Sequence, residues 1–173
     1  MNLDQLRFPI GRFEVPARIT AKQVQHWIDD LDQLPTDFRR VAEGLTQKQL
    51  DTPYRPGGWT LRQVIHHVPD SHMNSYVRFR WALTENNPTI KAYDEVGWAT
   101  LPDASTAPIH LSLDLLESLH KRWVVLLRSL SADELKKSFV HPSSGQQIPL
   151  DENIGAYAWH GRHHLGHLKL VGI

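Results

Sequence analysis

The stretch Thr60–Val68, Thr-Leu-Arg-Gln-Val-Ile-His-His-Val, combines the spacing of an amphipathic helix with two adjacent histidines. Its apolar residues recur at intervals of three and four, so they share one face of a helix. Thr60 precedes them and is a residue type that commonly caps a helix N-terminus. The pattern predicts a helix from here to about Thr84 or Glu85, with a bend at Pro69.

Three further segments have the same periodicity. The first follows a capping-box sequence at Thr20–Gln23, and a kink or short break is expected within it at Pro35. The next is capped by Ser112, and the last begins at Asp151 and continues to about Val171. Four long amphipathic helices predict an all-α four-helix bundle, in which metal sites are built from side chains of facing helices.

The connections between these helices are less regular. Met1–Ile19 is expected to form an irregular or extended arm, and Phe139–Leu150 a small hairpin or loop. Ser131–Glu134 has the capping-box form of a short helix. Asn86–Leu111 is a long crossover, with a short turn of helix around 92–96. A crossover of this length often forms a lid or the wall of a site.

Composition limits the classes of protein that fit. The chain has 173 residues, 19 basic and 19 acidic side chains and no net charge, which suits one soluble domain over 1–173 and argues against a nucleic-acid partner. No stretch approaches the roughly 20 apolar residues of a membrane helix, and Met1–Phe8 lacks the apolar core of a signal peptide. A cytoplasmic protein without membrane contact is expected.

The chain contains no cysteine and eleven histidines. Disulfides and thiolate metal sites are therefore excluded, and a transition metal would have to bind His, Asp, Glu and water. The block His160-Gly-Arg-His163-His164-Leu-Gly-His167 holds two pairs of imidazoles one helical turn apart. His160 and His164 lie on the apolar arc of the predicted helix, whereas His163 and His167 are rotated outward. A second metal site on the outer pair is the less favoured alternative.

Two ligands from one helix require a third from elsewhere, and the helix that begins at Thr60 offers three histidines. Helical phase places His66 toward solvent, His67 at the edge of the apolar arc and His72 near its centre. Pro69 makes the phase beyond it uncertain. Position on the helix alone therefore leaves His67 and His72 as alternatives.

These residues resemble the DinB/YfiT-like metalloenzyme superfamily. The resemblance rests on Trp59, followed eight residues later by His67, and on the C-terminal histidine block, and it extends over nearly the whole chain. It implies that His67, His160 and His164 bind the metal. The family usually has Gln where this chain has His167, which leaves one extra imidazole without an assigned role.

The resemblance implies a metal-dependent hydrolase with one divalent ion per subunit, zinc before nickel. Three protein nitrogens with positions open to water are typical of a catalytic site. A thiol S-transferase that uses a low-molecular-weight thiol such as bacillithiol on small electrophiles is the alternative enzyme. A non-catalytic metal-binding module of a stress response is the alternative of another class. The resemblance also implies a homodimer.

No catalytic side chain is identified beyond the metal-bound water. Asp70, Asp151 and Glu152 are near the ligands in sequence, but each is equally suited to cap a helix, orient a ligand or remain solvated. The substrate is expected to be a small molecule. Four tryptophans are candidates to line its pocket, although aromatic residues at helical spacing are usually core; they are Trp27, Trp59, Trp123 and Trp159.

Overall fold

Four long helices form the body of the protein, for which we describe residues 1–170 of a computed structural model. In chain order the elements are α1 (Leu3–Arg7), α2 (Ala21–Ala42), α3 (Gln47–Leu50), α4 (Leu61–Thr84), α5 (Glu95–Ala99), α6 (Pro102–Ser105), α7 (His110–Ser129), α8 (Ala132–Leu135), β1 (Ser138–Val140), β2 (Gln147–Pro149) and α9 (Leu150–Leu170). The predicted all-α four-helix bundle is confirmed. Val171, the predicted end of the last helix, lies outside the described residues.

Local capping explains where the helices begin. The Thr60 side chain accepts a hydrogen bond from the Gln63 amide, and the Gln63 side chain accepts one from the Thr60 amide. These reciprocal bonds satisfy two amides that a helix N-terminus otherwise leaves without partners. Thr20 caps α2 in the predicted place. Helix α2 continues without a break through Pro35, which is itself buried, so the short break considered there is absent.

The order of packing places the histidine-bearing helices side by side. Helix α4 packs against α7 and α9, and α2 packs against the same two helices. Two clusters of buried side chains fill the bundle. One is centred on Trp27, Phe79 and Trp123, and the other on Phe38 and Ile65. Because α4 and α9 are neighbours, side chains on their facing sides can meet.

Helices α2 and α9 approach closely at Gly155. A Cβ atom there would lie 2.8–2.9 Å from three atoms of the Trp27 ring. Trp27 is buried and its indole is rigid, so the ring cannot move aside as a flexible chain end would. We expect Gly155→Ala to lower the free energy of unfolding by about 1–3 kcal/mol, measured by urea denaturation.

A matched control for this prediction is Gly44→Ala. A Cβ at Gly44 would meet no atom closer than 3.5 Å, which is ordinary van der Waals contact. That variant should unfold within about 0.5 kcal/mol of the wild type. Equal unfolding free energies for the Gly155→Ala protein and the wild type would contradict the close approach.

The connecting segments cover the bundle more fully than the sequence predicts. The arm contains the short helix α1, capped by Asn2, and then crosses α9, where Phe8 packs on His163. The crossover holds α5 and α6.

Helix α7 begins at His110, so Ser112 is not its cap. The predicted hairpin is confirmed as β1 and β2, paired antiparallel with Phe139 opposite Ile148.

None of the helices within residues 1–170 combines the length and the hydropathy that crossing a lipid bilayer requires.

Candidate metal centre

Three histidines from two neighbouring helices converge at one wall of a pocket. His67 comes from α4, and His160 and His164 come from successive turns of α9. One ligating nitrogen of each lies within 4.8 Å of the other two, and the Nε2 atoms of His67 and His160 are 3.3 Å apart. A tetrahedral zinc ion with bonds of about 2.0–2.1 Å separates its ligand atoms by about 3.3 Å. The donor set therefore fits an ion of this kind.

All three imidazoles are in an environment that favours the neutral form. Desolvation lowers the pKa of His67 to about 4. Desolvation and then the neighbouring histidines lower the pKa of His160 and of His164 well below the usual value. A metal ion binds the neutral imidazole, so these side chains do not have to lose a proton at neutral pH before binding.

The pocket in front of the three histidines has a volume of about 370 Å³. Its apolar lining comes from Phe13, Trp59 and Trp159, and Trp59 packs against His67 with ring centroids 4.8 Å apart. Ser71, Glu95, Tyr157 and His163 add polar groups. An ion bound here would face a cavity of the size that holds a small molecule.

Two of the four candidate tryptophans line this pocket. Trp59 and Trp159 do so, while Trp27 and Trp123 are buried in the core. Glu95, which sequence reasoning did not identify, lies on α5 in the crossover. The crossover therefore contributes to the wall of this pocket. The signal that could have found Glu95 was an acidic residue within the helical turn predicted there.

The outer histidines of α9 are buried, although helical phase rotates both away from the apolar arc. His163 is 7% exposed and His167 is 1% exposed, because the N-terminal arm covers this side of the helix. His163, His164 and His167 form a second group whose ligating atoms lie within 4.8 Å of one another. Tyr54 stacks on the His167 ring at 4.0 Å. His164 belongs to both groups. Which of its ring nitrogens carries the proton and which the lone pair therefore decides the group in which it can act as a metal ligand.

His66 was predicted to face solvent, and this is wrong. Only 4% of the residue is exposed, because the crossover covers it. Its ring nitrogens lie 2.7 Å from the Ser112 hydroxyl and 3.2 Å from the Ala107 carbonyl oxygen. Helical phase describes one helix alone and cannot show that a crossover packs against its outer face. His72, predicted near the centre of the apolar arc, is fully buried.

The three acidic residues considered from the sequence do not line this pocket. Asp151 is buried and accepts a hydrogen bond from the Lys136 ammonium at 2.5 Å. Asp70 lines a different cavity, beside His66 and Asp103. Glu152 is absent from the lining as well.

Asp70 should make stability depend on pH. Desolvation, with a further contribution from Asp103, raises the pKa of Asp70 from 3.8 to about 6. The folded protein then binds this proton more tightly than the unfolded chain, so the free energy of unfolding falls as pH rises from about 4 to about 6. We expect Asp70→Asn to raise the unfolding free energy at pH 7 by about 1–2 kcal/mol. Urea denaturation at pH 4 and at pH 7 measures this change.

The control for Asp70 is Glu14→Gln, which removes an exposed carboxylate from the arm. It should leave the difference in stability between pH 4 and pH 7 as in the wild type. An Asp70→Asn protein with the same difference as the wild type would show that Asp70 is solvated when the protein is folded.

Comparison with known proteins gives close matches over the whole fold. The sequence profile of the DinB superfamily matches residues 30–168. A Bacillus cereus (strain AH820) protein named "Putative metal-dependent hydrolase" is 55% identical over 166 residues, which cover 96% of this chain and 95% of the relative. A protein of the same name from Bacillus thuringiensis subsp. konkukian (strain 97-27) matches equally well.

Two solved structures resemble the fold. One is described as "YfiT from Bacillus subtilis is a probable metal-dependent hydrolase with an unusual four-helix bundle topology". It superposes with a TM-score of 0.93 at 45% identity, covering 95% of this chain and 94% of that one. The other, a mycothiol-dependent maleylpyruvate isomerase, has a TM-score of 0.54 at 18% identity, covering 86% and 60%. At that identity the second likeness concerns the fold alone.

Proposed function

This chain belongs to the DinB superfamily, and on that basis we propose that it is a metal-dependent hydrolase whose divalent ion binds His67, His160 and His164. The observation that carries the proposal is the convergence of three neutral imidazoles at the wall of an open pocket. Three nitrogen donors favour zinc first and nickel second. The family names support the metal-dependent chemistry.

His67, His160 and His164 would hold a divalent ion, which would supply Lewis acidity to a substrate carbonyl and to water. The protein's own residues hold the three donors on two rigid helices and leave the remaining side open to the pocket. A fourth protein ligand would favour a structural role instead. Within the described lining of the pocket, the other polar groups belong to Ser71, Glu95, Tyr157 and His163.

Glu95 is suited to accept the proton of an attacking water. Among the described residues that line the pocket, Glu95 is the one with a carboxylate side chain. Desolvation raises the pKa of Glu95 above its usual value, and the positive charge of Arg78 opposes that shift. A carboxylate with a raised pKa is a stronger base than one with the usual pKa. Glu95 is therefore proposed as the general base.

The lining also limits the substrate. Phe13, Trp59 and Trp159 present aromatic surface beside the three histidines. A pocket of about 370 Å³ is at the lower end of the range for small-molecule sites. A small ester or amide with an apolar group next to its carbonyl suits this combination of apolar wall and Lewis acid.

The test compares zinc-loaded protein with protein stripped by a chelator, on aryl esters and amides, with and without a low-molecular-weight thiol. Hydrolysis that requires zinc and does not require thiol would support the proposal. A product that carries the thiol would identify a thiol S-transferase. Zinc bound without turnover in either condition would favour the non-catalytic metal-binding module.

A further inference from the structure

His160 is the first of three imidazoles that lead from the pocket into the core. Its Nδ1 lies 3.1 Å from Nε2 of His72. Nδ1 of His72 lies 2.8 Å from Nε2 of His120, and Nδ1 of His120 lies 2.6 Å from the carbonyl oxygen of Leu31. The three rings thus connect the candidate metal ligand on α9 to the backbone of α2.

The inner rings of this chain are sealed from water. His72 is 0% exposed and His120 is 1% exposed. The polar partners of these two rings are imidazoles and a carbonyl oxygen, with no carboxylate among them, so nothing offsets the cost of a buried positive charge and both rings are neutral. A neutral imidazole has one N–H donor and one acceptor nitrogen. The hydrogen bonds must therefore all run in one direction.

The Leu31 carbonyl decides that direction, because a carbonyl oxygen can only accept. His120 must donate from Nδ1, which leaves its Nε2 to accept from Nδ1 of His72. His72 then accepts at Nε2 from Nδ1 of His160. The result leaves the lone pair of His160 on Nε2, the atom that lies 3.3 Å from Nε2 of His67.

Pro35 explains why the Leu31 carbonyl is available. In an uninterrupted helix that oxygen would accept from the amide of residue 35. Proline has no N–H, so Leu31 has no such partner within α2. The proline that the sequence suggested as a break in the helix instead leaves a backbone acceptor free for His120.

A shorter chain reaches the second candidate ligand of α9. Nδ1 of His164 lies 3.2 Å from Nδ1 of His167, and Nε2 of His167 lies 3.3 Å from the carbonyl oxygen of Arg7. Helix α1 ends at Arg7, so this carbonyl belongs to the last turn, which has no helical amide to accept from. His167 must donate to it, and its Nδ1 then accepts from His164. The lone pair of His164 is again left on Nε2.

We infer that the two imidazole chains, each ending on a main-chain carbonyl, hold His160 and His164 as Nδ1–H tautomers with Nε2 directed to the metal. His72, His120 and His167 are positioning residues, and this rests on the proposed metal site. A ligand held in the correct tautomer does not have to move a proton before it binds the ion. The arrangement also assigns His167 to orienting His164 rather than to a second metal site.

The first test reads the tautomers directly, by long-range ¹H–¹⁵N correlation of the imidazole rings in the ¹⁵N-labelled full chain, stripped of metal and loaded with zinc. His72, His120, His160 and His164 are expected as Nδ1–H and His167 as Nε2–H in both samples. An Nε2–H ring at His72 or His120 would overturn the inference. The metal-free spectrum needs neither zinc nor turnover, so its failure is separate from failure of the proposed function.

The second test uses a matched pair of variants, His120→Leu and His120→Gln. Leucine removes the acceptor for His72, whereas glutamine can donate to the Leu31 carbonyl and accept from His72 through one amide group. We expect zinc affinity, measured by competition with a chromophoric chelator, to fall about 10–100-fold in the leucine variant and to stay within about threefold in the glutamine variant.

The control is His66→Leu. His66 lies on α4 and is buried like His120, but it belongs to neither of the two imidazole chains. It should keep the zinc affinity of the wild type while losing stability. Equal zinc affinity in the His120→Leu protein and the wild type, or equal losses in the leucine and glutamine variants, would contradict the positioning role. Where the leucine variant does not fold, the tautomers of the wild type decide.

Discussion

Protein purified without a histidine tag should contain about one equivalent of divalent metal per chain, and the His160→Ala, His164→Ala double variant should contain none. The two substitutions remove both donors that α9 contributes, which leaves only His67 from the group of three. A single imidazole does not hold zinc against chelation or dialysis. Elemental analysis by mass spectrometry after dialysis gives the metal content and its identity.

The matched control removes two imidazoles elsewhere. His26 and His110 are exposed, and neither belongs to a candidate metal group within the described residues. The His26→Ala, His110→Ala variant should keep the metal content of the wild type. Full metal content in the His160→Ala, His164→Ala variant would place the ion somewhere else and remove the basis of the proposed function.

Glu95→Gln should lower kcat for any hydrolysed substrate by about 10²–10⁴-fold, the contribution typical of general acid–base catalysis. Glutamine keeps the shape of the side chain at the pocket wall but cannot accept a proton. Metal content should remain that of the wild type, because Glu95 is not in either histidine group. The measurement is steady-state kinetics on the best substrate from the ester and amide series, with metal analysis of the same sample.

Glu152→Gln is the control for Glu95, since Glu152 is a partly buried acid that does not line the pocket. Its kcat should equal that of the wild type. If Glu95→Gln retained full kcat with full metal content, the general base would be another group, and Ser71, Tyr157 and His163 would be the remaining polar candidates on the wall.

The local parts of the fold could be predicted because they depend on neighbours in sequence. Thr60, Gln63 and the apolar residues after them begin α4 as expected, since capping and helical periodicity involve residues three or four apart. The His160 and His164 spacing follows from the same geometry. The family resemblance then selected His67 over His72.

Contacts between distant segments were beyond that reasoning. His66 was misplaced because the crossover covers its face of α4. His163 and His167, which helical phase rotates outward, are buried because the arm covers their side of α9. Helical phase gives the direction of a side chain relative to its own helix. It does not show which other segment packs there, and that packing decides burial.

Local sequence alone specifies the four amphipathic helices, the absence of thiolate ligands and the pair of histidines one turn apart on α9. Only the tertiary structure brought His67 to His160, 93 positions away, and His120 to the carbonyl of Leu31, 89 positions away. The two kinds of feature differ in the distance along the chain over which their interactions act. Turn and cap hydrogen bonds form within a few residues, whereas a buried site forms only where the whole bundle closes and removes its polar groups from water.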